Sequence, residues 1–495
     1  MEVILSAVLG DLTSRSINFI INKCSKMPAH TMEESLQRAV IRAQVIVGEA
    51  MGRQITNQAM LLRLVMLRDA MHRGYYMLDT FRFQPYDEEE AKDQAVSRSS
   101  SLSIVNFVKH LCFSSGDALT SKEMQDALDN LSSMILDANE LVLFLTRYPC
   151  LYSQPYSMHL QLANCMFGRQ MEAQLVINFL LHTQPHGAEE LEVLPIVGPR
   201  YVGKSTLVAH VCKDERVCAH FSKILFFHIR GFTDDELATF RDECELKHQN
   251  CVSESNLEGR MLLVIELIGD LSEDAWSRLY SASRRYAPRG SKIIVTSQFD
   301  NIVKFGTTRA LTLKYLSHEA YWYFFKTLTF GSMDPEMHPR LTHLAMEIAK
   351  MLRRCHIGAN TFAYLLRDNF DVHFWCKILA MLRRSYQKLV SQFGEHLSDL
   401  QNQNIPVLFG RMPTSSEDIV LYRRSYEHPS GEKVPKIKFQ DVICGSVKPH
   451  GRFEVLAWRS GIPPYYSYVY TCEILGLKPR AVKRKRCMKK GDRSC

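Results

Sequence analysis

The sequence lacks the long apolar runs that membrane-spanning helices need. No stretch of about 18 uninterrupted apolar residues occurs, and the opening segment MEVILSAVLGDLTSRSINFI has Asp11 and Arg15 among its apolar residues and no basic region ahead of them. A spanning helix and a secretory signal are therefore not expected. The 14 cysteines include no CxxC pair, and those between Cys212 and Cys251 lack the histidine spacing of a zinc finger. These absences predict a cytoplasmic protein with free thiols.

Excess charge of either sign is also missing outside the C-terminal tail. The net charge is +8, and residues 478–493 alone contain nine Lys or Arg against one Asp, so the rest of the chain is neutral. The segment KRKRCMKK, Lys483–Lys490, has the composition of a nuclear-import signal, and a solvated terminus explains it equally well. Direct nucleic-acid binding is not favoured, because no aromatic residue alternates with these cations to stack on bases.

The spacing of apolar residues changes along the chain. Spacings of three and four predict amphipathic helices from Met1 to about Arg82 and again over 120–147, whereas the polar segment 86–103 is typical of a loop or linker. After Glu190, short β-branched runs alternate with helical stretches, which indicates a parallel sheet covered on both faces. The predicted strands are 193–197, 224–229, 261–268, 292–296 and 311–316.

The predicted fold class is multidomain. It begins with an N-terminal helical bundle, followed by a P-loop α/β nucleotide-binding domain with a parallel sheet. A helical subdomain rich in Leu, Met and Arg and a β-rich C-terminal region of no particular predicted fold come next. The predicted domains are 1–150 (helical), 165–330 (nucleotide-binding), 331–395 (helical subdomain), 396–477 (β-rich) and 478–495 (basic tail).

The segment GPRYVGKST matches the phosphate-binding pattern G-x-x-x-x-G-K-[ST] and lies between an apolar run and a helical segment. Its glycines let the backbone curl so that N–H groups face phosphate oxygens, and the following helix adds its positive end. Lys204 is expected to bridge the β- and γ-phosphates, and the hydroxyl of Ser205 to bind Mg²⁺. The predicted nucleotide-binding residues are Gly198, Pro199, Arg200, Tyr201, Val202, Gly203, Lys204, Ser205 and Thr206.

Phosphoryl transfer also needs an acid at the end of a neighbouring strand to hold the metal, and a second acid to order water. The strand-like run MLLVIEL places Glu266 in the first position and Leu267 in the second. Glu266 is therefore a candidate metal-side acid, and Asp270 is more consistent with the start of the next helix. The expectation is nucleotide binding with at most weak ATP hydrolysis.

These motifs, in this order, resemble the nucleotide-binding switch domain (NB-ARC) of plant disease-resistance proteins of the coiled-coil class, over roughly residues 1–390. Residues 1–150 resemble the Rx-type N-terminal helical domain of that family. Segments 168–181, 290–298 and 313–326 are similar to family motifs that precede the phosphate loop, form the fourth strand and follow the fifth strand. The resemblance implies binding of ADP or ATP with Mg²⁺ and protein partners.

Several positions depart from the family pattern. His72, Arg73 and Gly74 stand where acids are expected, and Gln298 stands where an arginine usually senses the γ-phosphate. The segment that starts at Cys355 lacks a proline, and neither a Met-His-Asp triplet nor a leucine-rich repeat of about 20 to 29 residues occurs. The resemblance therefore implies a truncated or diverged member.

The leading hypothesis is an adenine-nucleotide-binding switch or adaptor in plant defence, not a metabolic enzyme. Its N-terminal helices are expected to engage other proteins, a full-length immune receptor among them. Two alternatives remain open at this point. One is an interaction or decoy protein that has lost nucleotide control, and the other is a slow P-loop ATPase that relies on Lys204, Ser205 and Glu266.

Overall fold

The computed structural model describes most of the chain between residues 32 and 476. The described residues are 32–83, 117–145, 147–149, 162, 165–182, 191–229, 238, 240, 259–393, 406–412, 417–427 and 434–476. The predictions on residues 1–31, on segment 86–103 and on the basic tail lie outside them. None of the helices that the structure describes is long and apolar enough to cross a membrane.

The N-terminal part of the described chain is helical, as predicted. Helices α1 (Met32–Met51), α2 (Gln58–Arg82) and α3 (Asp117–Leu145) pack around a shared apolar core. Their buried residues recur three and four positions apart, which places one apolar stripe of each helix toward the others. A Cβ added to Gly74 of α2 would lie 2.5 Å from Val40 Cγ2, so this glycine lets α1 and α2 approach closely.

A parallel sheet follows, and it confirms the predicted α/β fold. Among the described residues its strand order is β2-β3-β4-β1-β5. The strands are β1 (Glu192–Val197), β2 (Lys223–Ile229), β3 (Met261–Leu267), β4 (Lys292–Ser297) and β5 (Leu311–Thr312). Helices α4 (Gln170–Leu181), α5 (Lys204–Val211), α6 (Glu215–His220) and α7 (Glu273–Tyr286) are distributed between two apolar clusters that also contain the strands. The central strands are buried on both faces, which explains their continuous apolar runs.

Strand β5 is shorter than the sequence predicts. It pairs with β1 through Leu311 and Thr312 only, whereas the prediction extended it to residue 316. The N–H of Leu313 still donates to Val197 O at 2.8 Å, and residues 313–317 then connect the strand irregularly to the next helix, which Ser317 caps.

The region after the sheet is helical, again as predicted. Its helices are α8 (His318–Phe330), α9 (Pro339–Met351), α10 (His356–Asp368) and α11 (Val372–Phe393). Helix α8 is the most apolar of them, with aromatic side chains buried on all sides. A helix that is apolar around its circumference must be surrounded by other elements. Helix α8 accordingly contacts α2, α9 and α10.

The β-rich prediction for the C-terminal region is confirmed by an antiparallel sheet of order β6-β7-β9-β8 among the described residues. Its strands are β6 (Val407–Gly410), β7 (Glu417–Glu427), β8 (Arg452–Arg459) and β9 (Ser467–Gly476), with helix α12 (Phe439–Cys444) before β8. One face of this sheet shares a continuous apolar core with helices α8 to α11. The boundary predicted between residues 395 and 396 stays a prediction.

A buried polar contact joins the N-terminal helices to α8. Asp79 of α2 accepts a hydrogen bond from Trp322 Nε1 at 2.7 Å and pairs with Lys326. We expect Asp79→Ala to lower the free energy of unfolding by about 3 kcal/mol, because both partners lose their buried acceptor. Asp126→Ala, at an exposed position of α3, is the matched control and is expected to change it little. Chemical denaturation measures both, and equal losses in the two variants would contradict this role of Asp79.

Candidate phosphate-binding site

The phosphate-loop motif forms the turn between β1 and α5. Gly198 follows β1 with φ 155°, and a Cβ there would lie 2.3 Å from Leu313 O. Gly203 precedes α5 with φ 98°, in the region that L side chains rarely adopt. Only glycine fits the close approach at the first position, and only glycine adopts the second without strain. The two glycines of the pattern are therefore required by the backbone itself.

Lys204, the first residue of α5, folds back over this loop. Its Nζ donates to Gly198 O at 2.7 Å and to Pro199 O at 2.9 Å. Burial lowers the pKa of Lys204 to about 8, with Glu266 opposing this shift and the charge of Arg200 adding to it. The ammonium group is thus held at the loop by two backbone carbonyls and is only partly solvated.

Ser205 and Glu266 meet beside the lysine. The Ser205 hydroxyl donates to Glu266 Oε1 at 2.6 Å, which joins the start of α5 to the end of β3. A hydroxyl and a carboxylate are oxygen ligands of the type that Mg²⁺ prefers, usually with several waters and the substrate phosphates completing its shell. The side chains present therefore fit Mg²⁺ on the side of the loop where the sequence placed it.

Among the described residues, those that follow Glu266 along the chain do not place a second acid beside it. Leu267 is buried in the apolar core beside the sheet. Asp270 accepts the N–H of Leu271 at 2.8 Å just before α7, which agrees with its predicted place at the start of that helix. His228 of β2 has Nε2 at 3.6 Å from Glu266 Oε2. Residues 228 and 266 are paired in the parallel register of β2 and β3. A correct alignment of these two strands in the sequence would have predicted the contact between His228 and Glu266.

The middle residues of the loop connect it to the apolar core and to neighbouring segments. Val202 is buried and anchors the loop to the core, whereas Tyr201 is about half exposed and has φ 60°. Arg200 Nε donates to Gln298 Oε1 at 2.7 Å, and Tyr315 donates its hydroxyl to Arg200 O at 2.6 Å. The loop is thus tied to the segments that follow β4 and β5.

The C-terminal sheet also contacts the phosphate-loop helix, which sequence reasoning missed. His210 Nδ1 donates to Pro463 O at 2.9 Å. Burial raises the pKa of Tyr468, and a side-chain hydrogen bond with Thr206, the last residue of the motif, partly offsets that rise. The sequence indicates no role for residues 400–477, and the structure places the segment before β9 against α5.

The chain is similar to several plant disease resistance proteins. It is 26% identical over 252 residues to "Disease resistance protein RGA2" of Solanum bulbocastanum, a match that covers 45% of this chain and 26% of that protein. "Putative disease resistance RPP13-like protein 1" of Arabidopsis thaliana is 24% identical over 231 residues, which is 43% of this chain and 22% of that protein. The chain therefore spans about a quarter of the length of the curated relatives it matches.

No protein-family model matches the chain. A solved structure described as "Structure of C. elegans PCH-2" aligns with 39% of this chain and 62% of its own, at 12% identity and a TM-score of 0.27. A TM-score of that size does not establish a common fold.

Proposed function

We propose that this chain binds an adenine nucleotide, ADP or ATP, with Mg²⁺ at the loop Gly198–Thr206. The observation that carries the proposal is the convergence of Lys204 with the Ser205–Glu266 pair at the start of α5. A chance Gly-Lys-Ser turn does not require a half-buried cation and a metal-type carboxylate to meet at one edge of a parallel sheet. That convergence is what a phosphate chain with its metal needs.

Each group has a separate task in this proposal. The backbone N–H groups of the loop and the amino end of α5 bind phosphate oxygens. Lys204 exchanges its two carbonyl acceptors for the β- and γ-phosphates, to which it offers a full charge. Ser205 and Glu266 hold the metal side, where a bound Mg²⁺ supplies neutralising charge to the same phosphates.

The proposed role is binding rather than rapid hydrolysis. Hydrolysis needs a group that orients the attacking water in addition to the group that holds the metal. Leu267, which occupies the position after Glu266, is apolar and buried. We therefore propose a switch or adaptor in which the nucleotide stabilises one arrangement of the chain over another.

The names of the similar plant proteins support a place in plant defence. We propose that the N-terminal helices engage other proteins, a full-length immune receptor among them. Apolar side chains on the described part of these helices support a contact surface, since Met66 of α2 and Leu136 and Leu143 of α3 are more than half exposed. Exposed apolar side chains that lie on neighbouring helices are typical of protein contact sites.

Titration of the chain with ADP and Mg²⁺, followed by calorimetry, tests the binding proposal. We expect one ADP per chain at saturation and no measurable binding of adenosine, because the contacts proposed above are all made to phosphate. Adenosine binding as tight as ADP binding would contradict the role of the loop.

The same titration has an expected pH dependence. The pKa of Lys204 is about 8 in the described state, and contact with phosphate raises it in the complex. Binding then takes up a proton, so affinity is constant well below pH 8 and falls as pH rises above it, by up to about tenfold per pH unit. A Lys204→Arg variant keeps its charge over this range and is the control, with an expected flat profile. A flat profile in the wild-type chain would contradict the assignment of Lys204 as the phosphate ligand.

A further inference from the structure

An arginine of the phosphate loop is held at the end of the neighbouring strand. Arg200 Nε donates to Gln298 Oε1 at 2.7 Å, and Gln298 is the first residue after β4. The two residues are far apart in sequence, so this contact is a feature of the folded sheet. It holds the Nε of Arg200 beside the end of β4.

The strand order shows which part of a bound nucleotide lies there. Strand β4 lies between β3, which carries Glu266, and β1, which leads into the loop. Glu266 is in register with Thr296, and Val197 with Ser297, so Gln298 follows beside both the metal-side acid and Gly198. The metal and the loop lysine hold the last phosphates of the chain. In the proposed binding mode, the end of β4 therefore faces the terminal phosphate and not the nucleoside.

The positive charges of Arg200 and Lys204 favour the binding of an anion at the end of β4. Arg200 is near enough to Lys204 to contribute to the lowering of its pKa, so two cations lie at one loop. Like charges at close range raise the free energy of a site until an anion lies between them. The loop carbonyl of Arg200 is also held by Tyr315 at 2.6 Å, which keeps the residue in place before any ligand arrives.

We infer that Arg200, positioned by its hydrogen bond to Gln298, contacts the third phosphate of a bound nucleoside triphosphate and gives the site a preference for ATP over ADP. The inference rests on the proposed nucleotide binding. The planar donors of a guanidinium group match the geometry of phosphate oxygens, and a third phosphate offers Arg200 a charged acceptor. ADP has no third phosphate and leaves Arg200 without this contact.

The test compares two ligands on the same variants. Full-length chain is titrated by calorimetry with ADP and with adenylyl imidodiphosphate, an ATP analogue that is not hydrolysed, both with Mg²⁺. We expect Arg200→Ala to weaken the analogue by about tenfold or more and ADP by less than about threefold. Gln298→Ala is expected to give the same pattern with a smaller loss, because it removes only the positioning contact. Arg200→Gln keeps the bulk of the side chain without its charge and should behave like Arg200→Ala.

Arg284→Ala is the matched control for charge. Arg284 is exposed on α7, whose last turn leads to the start of β4, at the edge of the sheet opposite the loop. Its loss is expected to leave both affinities unchanged. If Arg200→Ala and Arg200→Gln weaken both ligands by the same factor, or neither, the inference is wrong while nucleotide binding stands. If the wild-type chain binds neither ligand, the proposed function fails first.

Discussion

Lys204→Ala is expected to weaken the binding of both ADP and ATP by about a hundredfold or more. The variant removes the positive charge of the first residue of α5, and the carbonyls of Gly198 and Pro199 that accept hydrogen bonds from Lys204 remain in the loop. Those carbonyls carry partial negative charge and repel phosphate oxygens when no cation lies between them. Calorimetric titration with each nucleotide and Mg²⁺ measures the loss.

Lys213→Ala provides the control for this substitution. Lys213 is an exposed lysine just past the end of α5, so its removal changes the net charge equally but leaves the loop intact. We expect affinities within about twofold of the wild-type values. If Lys204→Ala and Lys213→Ala gave the same affinities, the loop would not be the site of nucleotide binding.

Gly198→Ala is expected to destabilise the chain by about 3 kcal/mol and to abolish nucleotide binding with it. A Cβ at this position would lie 2.3 Å from Leu313 O, and Leu313 is itself held by Val197 at 2.8 Å. Relief of the clash requires the loop and the segment after β5 to move apart. Chemical denaturation followed by circular dichroism measures the change in the free energy of unfolding.

Gly451→Ala is the control for Gly198→Ala, because it measures the stability lost on replacing a positive-φ glycine where the new Cβ meets no other atom. Gly451 has φ 68°, and an added Cβ there meets nothing within 4 Å. We expect a cost of about 1 kcal/mol from the backbone conformation alone. A loss at Gly198 no larger than the loss at Gly451 would show that the close approach to Leu313 does not restrict the loop.

The parts of the fold that depend on residues adjacent in the sequence could be predicted from the sequence. The loop from Gly198 to Ser205 is contiguous. Backbone geometry requires its two glycines, and the chemistry of phosphate and its metal calls for Lys204 and Ser205. The central strands could be predicted because burial on both faces makes them continuously apolar. Strand β5 was predicted too long, because Leu313 and Leu316 are buried in apolar clusters from an irregular segment and not from a strand.

Contacts between distant segments could not be predicted in the same way. Gln298 was interpreted as the loss of a charged side chain, whereas in the structure it holds Arg200 of the loop at that point. The contacts of Thr206 with Tyr468 and of His210 with Pro463 depend on how the C-terminal sheet packs against α5. Packing of this kind follows from the arrangement of the whole chain, which the spacing of apolar residues in one segment does not reveal.

Identification of the nucleotide that co-purifies with the chain tests the central claim most directly. The purified chain is denatured, and the released small molecules are separated by ion-exchange chromatography against adenine and guanine nucleotide standards. The account predicts close to one ADP or ATP per chain from the wild-type chain and almost none from Lys204→Ala. Recovery of no nucleotide, together with no binding when ATP and Mg²⁺ are added back, would contradict it and favour a protein that acts only by binding partners.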